Sequence, residues 1–91
     1  MEKVIKRLKI TNEHGLHARA AALLVETVNR FTSDIKLSRN GQVAEGKSII
    51  SVLTLGAAKG SNVRVEAKGK DAKEAVRAIE ILVRDNFHES K

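Results

Sequence analysis

Ile35-Lys36-Leu37-Ser38-Arg39-Asn40-Gly41-Gln42-Val43 is the stretch on which the fold turns. Ile35 and Leu37 alternate with Lys36 and Ser38, the period of a half-buried strand. Asn40-Gly41 then supplies two adjacent residues that tolerate positive φ, the strongest short signal for a tight hairpin. Val43 lies beyond it, so the spacing predicts a second and a third strand joined at Asn40-Gly41.

Upstream, Val4, Lys6, Leu8 and Ile10 alternate with Ile5, Arg7 and Lys9, which predicts a first strand with one largely apolar face. The loop Thr11 to Leu16 contains Gly15. Ala21, Leu24, Val25, Val28 and Phe31 then recur at helical spacing, predicting a helix over roughly Ala18 to Phe31. Downstream, Ser48 precedes Ile49, Ile50, Val52, Leu53 and Leu55, read as a short helix with Ser48 as N-cap. Gly56 and Gly60 frame its exit, and Val63, Val65 and Ala67 alternate as a fourth strand. Asp71 begins the last helix, with Glu74 three residues on in a capping-box-like arrangement. Ala72, Ala75, Val76, Ile79, Leu82 and Val83 give that helix one apolar stripe, and Arg84 suits its C-terminal end. The order is βαββαβα. One apolar face per strand and three one-sided helices predict a two-layer α+β sandwich whose other sheet face meets water.

The chain of 91 residues makes one domain, 1–91, with no length for a second core. Phe31 and Phe87 are its only aromatic residues besides the histidines, so the core is aliphatic and too small to enclose a large substrate. Chemistry is therefore expected at an exposed surface. The absence of cysteine excludes disulfides and thiolate metal sites. No long apolar run opens the chain, so neither a signal peptide nor a membrane span is expected, and the cytoplasm is the default location. The net charge of +6 fits nucleic acid, acidic partner surfaces or simply a solvated lysine-rich exterior.

Gly15-Leu16-His17-Ala18-Arg19 carries the chemistry. It sets a histidine where a loop meets the positive end of a helix. The first N–H groups of a helix lack intrahelical partners, and the macrodipole favours negative charge there, so such a place receives phosphate readily. A neutral imidazole nitrogen is a nucleophile towards phosphorus. The helix end and Arg19 should keep the ring neutral, and Arg19 can offer paired hydrogen bonds to phosphoryl oxygens. The plainer role for His17 is that of a surface residue or makeshift cap.

Ser48, the expected cap, sits where a dipole would also tolerate a phosphate. Most of Ile49, Ile50 and Leu53 are expected in the core, with any exposed member able to dock a partner. His14 and His17, three apart, lack the cysteine or paired carboxylates that would complete a metal site. Gly-x-Ser-x-Gly elbows and P-loops are absent from the sequence.

Gly15-Leu16-His17-Ala18-Arg19, the Asn40-Gly41 hairpin, Lys47-Ser48-Ile49 and Gly56-Ala57-Ala58-Lys59-Gly60 resemble the HPr family in order and spacing, from Val4 to about Phe87. These are the histidine-containing phosphocarriers of the bacterial phosphotransferase system. The resemblance implies an open-faced sandwich with a four-stranded antiparallel sheet and three helices on one face. It implies that enzyme I, charged by phosphoenolpyruvate, phosphorylates Nδ1 of His17, and that an enzyme IIA-type protein takes the group onward. Arg19 matches the arginine that steadies the phosphoryl group. Ser48 matches the regulatory serine phosphorylated by HPr kinase/phosphorylase in some bacteria. Such a protein is a carrier in a relay, without cofactor, and not a stand-alone catalyst. A monomer is expected, docking transiently through Ala20, Lys47, Ile49 and Leu53, with no nucleic-acid partner and no membrane insertion.

Two departures from the family pattern stand out. Ala20 replaces the usual proline, which first-turn geometry accepts but does not require, and His14 replaces a small polar residue. The chief rival, a basic RNA-binding module, lacks aromatic stacking platforms and a Gly-x-x-Gly loop. A purely regulatory module switched at Ser48 is the second rival, though retention of His17 argues against it.

Overall fold

Asn40 and Gly41 both take positive φ, 49° and 83°, and close the hairpin as the sequence predicts. The computed structural model describes residues 2–89. Its elements are β1 (Lys3–Lys9), α1 (Ala18–Val28), β2 (Asp34–Arg39), β3 (Gln42–Glu45), α2 (Ile49–Thr54), β4 (Asn62–Lys68) and α3 (Ala72–Arg84), followed by a single turn over Asn86–His88.

The sheet order is β1-β4-β2-β3. Every pairing is antiparallel: Lys3 faces Lys68 and Lys9 faces Asn62, Leu37 faces Val65, and Arg39 faces Gln42 across the turn. Alternation then sorts the side chains. Leu8, Ile35, Leu37, Val63, Val65 and Ala67 turn inward and are nearly inaccessible. They meet Ala20, Ala21, Leu24 and Val28 of α1, Val52 of α2, and Ala72, Ala75, Val76, Ile79 and Val83 of α3. The other sheet face carries Ile5, Arg7, Arg64, Glu66 and Lys36, partly or fully exposed. The architecture is the open-faced α+β sandwich. Among the described residues no helix is long and apolar enough to cross a membrane.

Three local expectations change. Lys6 occupies an inward position of β1, and its ammonium reaches the largely buried Glu80 of α3 at 3.5 Å, where Arg84 also pairs at 2.9 Å. A buried carboxylate with two cations thus replaces apolar packing at that edge. Helix α1 stops at Val28, not Phe31. Arg30 and Phe31 donate to the carbonyls of Thr27 and Val28 at 3.2 and 3.1 Å, three residues back, which tightens and ends the helix.

Asp71 sits at the N-cap position of α3 but makes no side-chain cap, so the capping box with Glu74 does not form. Its carboxylate turns to the end of α1 instead. It accepts from the N–H groups of Thr32 and Ser33, each at 2.9 Å, and from the Ser33 hydroxyl at 2.5 Å. Those donors, the Ser33 hydroxyl first, hold the Asp71 carboxyl well below its usual range, at about 2.

Candidate functional site

The loop Thr11 to Leu16 is laid down by backbone contacts before any side chain acts. Ile10 donates to Ser61 at 2.8 Å, Gly60 returns a bond to Ile10 at 2.7 Å, and Leu16 donates to Ala57 at 2.8 Å. Gly15 passes between them at φ 62°, and a Cβ there would lie 2.8 Å from Ala58 Cα and run into the Ala57 carbonyl. Glycine is therefore required at 15 by both conformation and space. Asn12, almost wholly buried, donates one amide hydrogen to the Gly15 carbonyl at 2.8 Å.

His17 leaves that loop with extended backbone (φ −78°, ψ −177°) and becomes the N-cap of α1. Its carbonyl accepts the first helical bond from Ala21 at 2.8 Å, and its ring Nδ1 accepts the Arg19 N–H at 3.2 Å. The cap therefore falls on the same ring atom that the family resemblance implies as phosphoryl acceptor. Nδ1 accepts, so it carries the lone pair. On the other side of the ring, Nε2 lies 3.0 Å from a Glu89 carboxylate oxygen, which can only accept, so Nε2 carries the proton. The same Glu89 oxygen takes the second Asn12 amide hydrogen at 2.7 Å. These two partners, Asn12 first and then His17, hold the Glu89 carboxyl below the ordinary carboxylate range, against a smaller opposing effect of burial. The surroundings of the ring thus include a carboxylate as well as the expected helix end and Arg19.

An open basin of about 750 Å³ is lined in part by Asn12, His14, Arg19, Lys59, Asn86 and Glu89, but not by His17 itself. Lys59 is paired with Glu13 at 3.4 Å, and the His14 ring stands edge-on to His17 with centroids 5.6 Å apart. Arg19 is exposed on the first turn of α1, where its guanidinium can swing towards an anion at Nδ1.

Ser48 caps α2 as read from the sequence, its hydroxyl accepting the Ser51 N–H at 3.3 Å. In α2 only Val52 is buried; Ile49, Ile50 and Leu53 are 44%, 77% and 37% exposed, which overturns the expectation that most of them join the core. A six-residue helix can turn only one narrow stripe inward. Lys47 is exposed beside them. Ala20, by contrast, is wholly buried against the core, so it offers a partner no surface and its expected docking role does not hold. Asn12 and Glu89 escaped the sequence reading altogether. Their spacing matches no motif, and only the turn at Asn86–His88 brings 89 back to 17.

Fold and site together define a small α+β domain with a histidine at a phosphate-receptive helix start. A family model described as the PTS HPr component phosphorylation site matches residues 4–85. The phosphocarrier protein HPr of Cupriavidus necator is 43% identical over 82 residues, covering 90% of this chain and 92% of that protein. A multiphosphoryl transfer protein of Escherichia coli O157:H7 is 45% identical over 73 residues, 77% of this chain and 19% of that much longer one. The crystal structure of HPr-C-His from Thermoanaerobacter tengcongensis superposes with a TM-score of 0.91 at 36% identity, covering 100% of both chains. The chain belongs to the HPr family, the phosphocarriers of the phosphotransferase system.

Proposed function

We propose that Nδ1 of His17 accepts a phosphoryl group from enzyme I, charged by phosphoenolpyruvate, and delivers it to a histidine of an enzyme IIA-type protein in the cytoplasm. One observation carries this reading: Nδ1 accepts the Arg19 N–H, so it is the unprotonated ring nitrogen, and turning its lone pair to phosphorus frees that N–H for a phosphoryl oxygen. A phosphoryl group on Nδ1 would meet unpartnered helix N–H groups and the Arg19 guanidinium, both suited to its oxygens. These supports are few, which favours a carrier over a catalyst: a group held too tightly in the ground state would not leave. His17 gains its phosphate when the Nδ1–P bond forms and the donor's bond to phosphorus breaks, and gives it up when the acceptor histidine's nitrogen bonds to phosphorus and the Nδ1–P bond breaks.

Incubation with phosphoenolpyruvate and enzyme I, followed by intact-mass analysis, tests the reading. One acid-labile phosphate is expected on the wild-type chain and none on His17→Ala; a label on that variant would eliminate His17 as acceptor. Arg19→Ala should slow transfer while the circular dichroism spectrum is unchanged.

A regulatory use of Ser48 belongs to the same proposal, favoured by its place beside the exposed Ile49, Ile50 and Leu53. Phosphorylation there by HPr kinase/phosphorylase would set negative charge on an apolar docking patch and weaken enzyme I binding. Equal transfer rates for Ser48→Asp and wild type would refute it.

A further inference from the structure

We infer that Glu89 is a positioning residue for His17: its carboxylate holds the imidazole with the proton on Nε2, leaving Nδ1 unprotonated, so that it gains and loses phosphorus without any proton transfer. This rests on His17 as the acceptor, and adds a residue beyond residues 4–85, which the family model matches.

The chain takes an unfavourable route to bring Glu89 to the ring. Asn86, Phe87 and His88 adopt φ of 52°, 54° and 61°, three consecutive left-handed residues with side chains. Such a run is disfavoured for L-residues and persists only where its surroundings fix it. Phe87 is 1% exposed in the core, the Thr11 hydroxyl donates to the Asn86 side-chain oxygen at 2.6 Å, and His88 pairs with Asp85. The reversal these contacts hold sets the Glu89 carboxylate 3.0 Å from Nε2 and 2.7 Å from the Asn12 amide. Asn12 in turn holds the Gly15 carbonyl, so the loop before His17 and the tail behind it share one buried amide.

The chemistry follows from where the proton already is. As the Nδ1 lone pair forms the N–P bond, the donor's bond to phosphorus breaks and its electron pair leaves with the donor. The ring becomes a cation with hydrogen still on Nε2, facing an anionic oxygen. On delivery the acceptor's nucleophilic nitrogen bonds to phosphorus, the N–P electron pair returns to Nδ1 and the neutral ring is restored. The carboxylate orients the ring and steadies its charge without taking the proton, the division of labour of a buried carboxylate behind a catalytic histidine. The other charged groups near it leave that contact intact: Lys59 is paired with Glu13, Arg19 lies on the Nδ1 side at the start of α1, and His14 stands edge-on.

Nitrogen-15 spectra of the ring in the full chain, with enzyme I transfer rates, test this on Glu89→Ala and Glu89→Gln. The wild type should show a slowly exchanging Nε2–H. Glu89→Gln, whose amide oxygen still accepts, should keep that signal. Glu89→Ala should lose it and transfer about tenfold more slowly, the lower end of what removing a supporting partner from a histidine nitrogen does. An Nε2–H signal unchanged in Glu89→Ala, or a lost signal with an unchanged rate, would overturn the inference. Phosphate on His17→Ala would sink the acceptor reading and this one with it, an outcome distinct from any change in the Glu89 variants.

Discussion

Asn12 and Glu89 meet at 2.7 Å, side chain to side chain, across 77 residues of sequence. The bond ties the segment after α3 to the loop that presents His17, through an amide that is itself inaccessible to water.

Asn12→Ala removes both donors at once and leaves the Gly15 carbonyl without its side-chain partner. A loss of about 1–3 kcal/mol is expected in urea unfolding, the range for a buried group stripped of its hydrogen bond. The Glu89 carboxyl should also titrate closer to its ordinary value, followed by carbon-13 NMR, because the larger of its two stabilising bonds is gone.

Asp71 should make the fold acid-sensitive in a defined window. Its folded carboxyl lies at about 2 against an ordinary 3.8. A depressed carboxyl contributes stability that is complete above the ordinary value and disappears as pH falls through the folded one. The urea midpoints of wild type and Asp71→Asn should therefore differ at neutral pH and converge between pH 4 and about 2. A gap that stays constant down to pH 2 would show that the clasp on Thr32 and Ser33 does not depend on charge.

Gly15→Ala and Gly41→Ala form a matched pair. Both positions have positive φ, but a Cβ at 41 meets nothing within 4 Å, whereas at 15 it strikes the backbone of Ala57 and Ala58. Thermal unfolding should show a cost of about 1 kcal/mol at 41, from conformation alone. At 15 the overlap adds to this, for roughly 3 kcal/mol in all. Similar losses at both would mean that the loop yields to the added methyl.

Phe87→Ala should destabilise by about 3–5 kcal/mol, as expected for a buried aromatic ring removed from a packed core. It should also release Glu89, so the slowly exchanging Nε2–H of His17 should vanish even in molecules that remain folded. A folded variant that keeps that signal would show that the turn over Asn86–His88 does not need its anchor.

Much of this was legible in the sequence, for a reason visible in particular residues. The hairpin, the strands and the stripe of α3 are written in local spacing: Asn40-Gly41 decides its turn with two side chains, and Ile79 follows Val76 and Ala75 on one face. His17 as the start of a helix was readable from Gly15 and the apolar run behind it. Asp71 misled because its neighbours in sequence suggest a cap, while its partners, Thr32 and Ser33, lie 39 and 38 residues away. Ala20 and Ile50 show the same limit for burial. A small residue in a docking motif was packed inward, and apolar residues of a six-residue helix were left outside. Glu89 was beyond reach because no periodicity encodes three left-handed residues in a row.

The sheet order has a consequence for the chain during its own synthesis. Among the described residues β1 pairs only with β4, and the loop before His17 is fastened to Ala57 and Ser61. A ribosome must have released most of the polypeptide before the first strand finds its neighbour, and contacts so distant in sequence form slowly. Until then His17 sits on an unseated loop, with neither helix start nor carboxylate arranged around it. If His17 is the acceptor proposed above, its competence arrives late, with completion of the domain, so unfinished chains would not divert phosphoryl groups from the finished carriers beside them.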